Sequence, residues 1–205
     1  MIGRPHRDDR SDLQVAAGLF LLSILVRWLF LRGTVDRDLP FSIFYYGDSR
    51  LYREFALAIL QGRIFDSGIP YHPPLLAYLL AAIIRVTGES PGALRALVAI
   101  PAALTPPLTY LLGVRLWSRP VALIGALLAT FSFGLCVTAV SPNTEAIYIP
   151  ILVGQALAVV AFGDALGARS EDQLSSILRK YSVWLAVLTG LLLGLRSLTD
   201  RKSVV

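Results

Sequence analysis

The 205-residue chain is 55% hydrophobic and 16% charged, where an ordinary soluble domain carries about 25% charged residues, and its mean hydropathy is +0.64. Its apolar residues come in blocks that match the roughly 30 Å hydrocarbon core of a bilayer at about 1.5 Å per helical residue. A chain this short cannot enclose so much apolar surface, which excludes a soluble bundle. The net charge of +5 comes from Arg and Lys residues set between apolar blocks. No basic helix and no aromatic–basic interleaving accompanies it, so it records membrane orientation and nucleic acid is excluded as a partner.

The opening Met1–Arg10 is polar and is followed by an apolar stretch, Leu13 to Leu31, interrupted only by Arg27. It lacks the short apolar core and small-residue cleavage site of a signal peptide, which predicts a retained anchor with a cytoplasmic N-terminus. Gly33 to Tyr71 is polar and aromatic and far longer than an ordinary connection, as a functional extramembrane loop would be. Within it, Asp48 to Gln61 has helical spacing, with Leu51, Phe55, Ala58 and Ile59 as the apolar stripe. Gly62 is the expected stop, and the helix is expected to lie on the membrane surface.

After Pro73-Pro74, the apolar run of Leu75 to Val86 suits an interfacial or re-entrant helix better than a span. Leu94 to Trp117 is long enough to cross, and Pro101, Pro106 and Pro107 predict a kink or break in it. Val121 to Val140, Ala146 to Phe162 and Tyr181 to Leu198 are predicted spans, the last with Gly190 and Gly194 as a small-residue packing face. If Leu75–Val86 does not cross, Arg115, Arg119, Arg169, Arg179 and Lys180 fall on the side of the N-terminal Arg residues, as the positive-inside bias favours. The same arrangement puts Ser141–Glu145 on the face of the Gly33–Tyr71 loop. The lone Cys136 sits inside an apolar block and offers neither an intrachain disulfide nor a thiolate metal site.

Asp48 stands at the start of the loop helix, where a carboxylate either caps the helix or serves as a general base at the membrane surface. His72 is either a polar turn residue or a ligand for an anionic head group. Glu145 opens an apolar span, where it meets the positive end of the helix dipole and, as an acid at the membrane boundary, is a functional candidate. Asp36 and Asp38 read as loop solvation.

Several of these residues form an ordered pattern: Tyr46-Gly47-Asp48-Ser49-Arg50-Leu51-Tyr52, Ala56 and Gly62, then Tyr71-His72-Pro73-Pro74-Leu75, Arg95, Tyr110–Arg119, Ser141-Pro142-Asn143-Thr144-Glu145 and Gly190–Thr199. The pattern resembles the front part of bacterial C-type (GT-C) membrane glycosyltransferases, in particular the protein-mannosyltransferase and lipid A aminoarabinose-transferase group. That resemblance implies an all-α, polytopic transmembrane bundle with a long first external loop carrying amphipathic interfacial helices. It places the chain in the bacterial inner membrane, with several passes and the loop external.

The implied reaction moves a sugar from a polyprenyl-phosphate donor to an acceptor glycan, lipid or protein, with membrane lipid as the other partner. Asp48 becomes the catalytic carboxylate, and Glu145, His72, Arg50, Tyr52 and Asn143 the substrate-binding residues. His72 stands where many relatives have Lys to hold the lipid phosphate. Ser49 stands where relatives often have a second acid. No cofactor is assigned, and no paired-carboxylate motif supports a divalent cation. Relatives run longer, and Asp200–Val205 match one reading frame of a short sequencing adapter. Residues 1–199 are therefore expected to be a truncated N-terminal transmembrane part, inactive alone, and 200–205 a non-native tail. The competing reading is a transporter or flippase of a lipid-linked substrate, with the Pro-rich Leu94–Trp117 segment as a broken helix.

Overall fold

The computed structural model describes residues 9–35, 48–63 and 72–167. The predicted Tyr181–Leu198 span, the loop residues 36–47 and 64–71, and the 200–205 tail lie outside them. The described residues contain helices α1 Asp9–Val35, α2 Asp48–Leu60, α3 Pro74–Thr87, α4 Pro91–Ala102, α5 Thr105–Leu116, α6 Arg119–Phe131, α7 Phe133–Val140 and α8 Glu145–Gly167, and no strand. Three stretches, Arg10–Gly33, Pro91–Leu116 and Glu145–Asp164, are long and apolar enough to cross a membrane, and the α6–α7 pair is a fourth if it makes one broken span.

Proline chemistry explains the α4–α5 junction. Pro106 and Pro107 lack the N–H that an interior helix position needs but are tolerated in a first turn, so α5 restarts at Thr105. Tight bonds from Ala103 N to Ile100 O and Leu104 N to Pro101 O close α4 just before it. The expected single Val121–Val140 span differs from what is observed. It bends by 54° between α6 and α7, without a proline. Ser132 leaves helical geometry and its Oγ accepts from Leu135 N, capping a new helix. Serine and glycine close together are among the recurrent causes of such breaks, and Gly134 follows two residues later.

Two sets of polar contacts define the two ends of the bundle. At one end, Arg119 Nε and Nη2 donate to Asp12 Oδ1 and Oδ2 at 2.8 and 3.1 Å, and Tyr110 Oη donates to Asp12 Oδ1 at 3.0 Å. Arg115 Nη1 donates to Asp164 Oδ2 at 3.3 Å. The start of α1, the end of α5, the start of α6 and the end of α8 therefore meet there. Just above, Ala16, Leu19, Tyr110, Ala122 and Ala126 form a small core. Gly113 lets α5 and α6 approach so closely that a Cβ on it would lie 2.8 Å from the Ala122 Cβ.

The larger core gathers Tyr52 and Ala56 of α2, Leu76, Ala77, Leu80 and Ala81 of α3, Leu94 and Val98 of α4, Ala139 of α7 and Ala146 and Ile147 of α8. It lies toward the opposite end, and α2 rests on α3 there. The buried positions of α2 are Ser49, Tyr52 and Ala56, with Phe55 and Ile59 alongside. The seam is thus turned from the expected Leu51–Phe55–Ala58–Ile59 stripe. A small Ala56 permits close packing on the Ala77–Ala81 surface, and Tyr52 buries its ring beside it. The stop at Gly62 follows the expectation: its φ is +68°, Arg63 N bonds Ala58 O at 2.9 Å and Gly62 N bonds Ile59 O at 3.0 Å. This is the paired Schellman pattern, which glycine accommodates without strain.

Both flanks of α3 touch α2. His72, before α3, packs on Tyr52 and Phe55, and Glu89, after it, forms an ion pair with Arg53. At 14 residues, α3 is about 21 Å long at 1.5 Å per residue, short of the roughly 30 Å core. Both ends of α3 are thus tied to α2.

Candidate functional site

The α2 end collects most of the residues singled out in the sequence. Asp48 is the first residue of α2 and is exposed. Its neighbour Ser49 is 1% exposed, and its Oγ donates to Asn143 Oδ1 at 2.5 Å. That bond joins the start of α2 to the Ser141–Glu145 turn across 94 residues of chain. Two acidic residues that open helices, Asp48 of α2 and Glu145 of α8, are thereby brought to the same corner. Each lies in a first turn, where the helix dipole favours a negative group. Glu145 is exposed, and its Oε2 accepts from Thr144 Oγ1 at 3.4 Å.

His72 is half-buried and stands edge-on to Tyr52, with ring centroids 6.1 Å apart, and tilted against Phe55 at 5.2 Å. Aromatic pairs favour such edge contacts. Tyr52 is 1% exposed and supplies the buried ring on which the imidazole rests. Arg50 lies on the exposed face of α2, where its Nε donates to Glu54 Oε1 at 2.9 Å one turn along the helix. An exposed i,i+4 pair of this kind contributes only about 0.3–0.5 kcal/mol, so little holds Arg50 from turning to another anion.

The turn itself is closely tied. Asn143 N bonds Ser141 O at 2.7 Å, and Ala146 N and Tyr148 N bond Asn143 O and Thr144 O at 3.2 and 2.8 Å, starting α8. On its other side, Ser141 Oγ donates to Val137 O at 2.7 Å, and Arg95 Nε of α4 donates to Val140 O at 2.9 Å. Sequence reasoning placed Arg95 only in a pattern and took Ser49 for a missing acid; both are structural members of this corner. The available signal for Arg95 was a cation on the buried face of a helix that is otherwise apolar, with Leu94 and Val98 beside it. Among the described residues no three His, Cys, Asp or Glu side chains cluster closely enough to hold a metal ion.

Comparison with protein families, characterised proteins and solved structures finds no match to this chain.

Proposed function

We propose that the chain is part of a membrane-embedded glycosyltransferase of the C-type that uses a polyprenyl-phosphate sugar donor. The observation that supports this reading best is the Ser49–Asn143 bond, which brings Asp48 and Glu145 together with Asn143 at the end of an apolar helical bundle where His72 packs on Tyr52 of the same α2. A polyprenyl-phosphate sugar keeps its tail among lipid and its anomeric carbon at the interface, so its enzyme needs a carboxylate just above the spans. Asp48 takes the proton of an acceptor hydroxyl as that oxygen attacks the anomeric carbon. The bond from the anomeric carbon to the phosphate oxygen breaks, and the polyprenyl phosphate leaves with the electron pair. His72 and Arg50 are placed to meet the leaving phosphate, and Asn143 and Glu145 to bind the sugar or acceptor. In this reading the α2 end faces outward. The Arg115 and Arg119 end then faces the cytoplasm, in keeping with the positive-inside bias.

The test is Asp48→Asn in the full-length membrane protein, with abundance, donor-lipid binding and turnover measured together. Asn caps a helix about as well as Asp, so a capping role leaves turnover unchanged, whereas loss of a general base lowers it about 10²–10⁴-fold at normal abundance. Unchanged turnover overturns the catalytic assignment.

A second reading, a transporter or flippase, draws on the 54° break between α6 and α7 and the buried Arg27 of α1. Arg27 is 1% exposed, bonds the Ser23 hydroxyl, and its Nε has no acceptor among the described residues. Broken helices with an intramembrane charge are the usual parts of a transport site. Reconstituted vesicles separate the two readings: a transporter moves the intact sugar lipid, and a transferase releases polyprenyl phosphate.

A further inference from the structure

The corner described above depends on where α7 ends. α7 has only eight residues, so its final carbonyls, which have no partner within the helix, are a large share of its backbone groups. Ser141 answers two of them, its Oγ bonding Val137 O at 2.7 Å and its N bonding Thr138 O at 3.4 Å. Val140 O, the last, accepts instead from a different helix, through Arg95 Nε at 2.9 Å. Arg95 is 6% exposed, and its charge meets the negative end of α7, which makes this a charge-assisted bond in a dry setting. Asn143 follows Val140 by three residues, and Asn143 is the acceptor of the Ser49 hydroxyl.

We infer that Arg95 is the positioning residue of this site: by holding Val140 O it fixes the Ser141–Glu145 turn where Asn143 meets Ser49. The inference rests on reading this corner as the functional site and is independent of the sugar chemistry assigned to it. Arg95 acts through the turn and needs no contact with substrate. Without it, the end of α7 loses its hydrogen bond to α4 and keeps only the apolar contact through Ala139, and Asn143 and Glu145 shift together relative to Asp48. Lysine keeps the cation and one donor but not the planar fork, so Arg95→Lys restores part of the placement, while Arg95→Gln and Arg95→Met restore little.

The experiment measures placement directly, in membranes, in a Cys136→Ala background. One reporter pair, Ser49→Cys with Asn143→Cys, is joined by a short bis-methanethiosulfonate reagent. The pair lacks the native Ser49–Asn143 bond, so its yield reports what else holds the two segments together. A second pair, Arg115→Cys with Asp164→Cys, reports the other end of the bundle with a reagent of longer span. The quantity read is the ratio of the first yield to the second. A threefold or larger fall in Arg95→Met or Arg95→Gln, with a smaller fall in Arg95→Lys, is the expected result. A ratio that stays level in all three variants, whether both yields hold or both drop, overturns the inference. Turnover of a polyprenyl-phosphate sugar is measured on the same Arg95 variants without the reporter cysteines. If the full-length parent protein shows none, the sugar reading fails while the cross-link ratio still decides the role of Arg95.

Discussion

Replacing Gly113 by alanine should open the α5–α6 contact. A Cβ at Gly113 would sit 2.8 Å from the Ala122 Cβ and 2.9 Å from its Cα. The obstacle is another helix's backbone, so the helices themselves must part. Gly154 provides the control, since a Cβ there meets only the Leu108 Cδ1 at 3.7 Å, an ordinary contact with the end of a flexible side chain. Both substitutions gain the same helix propensity, about 1 kcal/mol, so their difference isolates the clash. Overpacking of this kind costs about 1–3 kcal/mol. Taken as about 2 kcal/mol, this is a roughly thirtyfold change in the folded-to-unfolded ratio and about 4–8 °C in Tm for a chain of this size. The assay is thermal unfolding of the purified chain in one detergent, Gly113→Ala against Gly154→Ala. Equal melting temperatures, or a higher one for Gly113→Ala, would refute the close approach of the two helices.

Three further outcomes follow from the same geometry. In the Asp12→Asn, Arg119→Gln double-mutant cycle, the coupling should be about 1–2 kcal/mol, at the lower end because Arg119 is 47% exposed and partly screened; coupling near zero would make the Asp12 contact incidental. Single cysteines at Glu89 and Glu145 should label from the outside of the membrane and one at Arg115 from the cytoplasm, whereas labelling of 89 only from the cytoplasm would place α3 across the bilayer. Ser132→Ala should lower stability by about 0.5–1 kcal/mol through loss of the α7 cap, read as a drop in Tm, and no change would show that the bend is set by packing alone.

Much of the helical order was legible because it depends on local chemistry. Gly62 stops α2 through its own left-handed backbone, and Pro106 and Pro107 break the Leu94–Trp117 segment through missing N–H groups. The rotated seam of α2 was not legible. Hydrophobicity ranks Leu51 and Ala58 as well as any position, but the fit against α3 selects the Tyr52 ring and the small Ala56, and Ser49 is buried because Asn143 waits for it. The bend at Ser132 hides for a similar reason, since a serine in an apolar run reads as a tolerated polar residue until its Oγ is seen capping the next turn. Of the candidate site, Asp48, His72, Asn143 and Glu145 could each be named from sequence. Their common corner depends on bonds that span 94 residues between Ser49 and Asn143 and 45 between Arg95 and Val140, and no local pattern encodes such pairings.

The Asp12 cluster also bears on the order of assembly. Arg119 follows Asp12 by 107 residues, so at a synthesis rate of about 5–20 residues per second some 5–20 s separate their emergence. For that interval the first helix carries a carboxylate whose partners do not yet exist, and its early placement must rely on its apolar length alone. The clasp closes only once the α5–α6 hairpin has formed. A contact made so late contributes to the barrier against unfolding and little to the rate of folding. Substitutions at Asp12 should therefore shorten the lifetime of the assembled chain while leaving its initial accumulation unchanged.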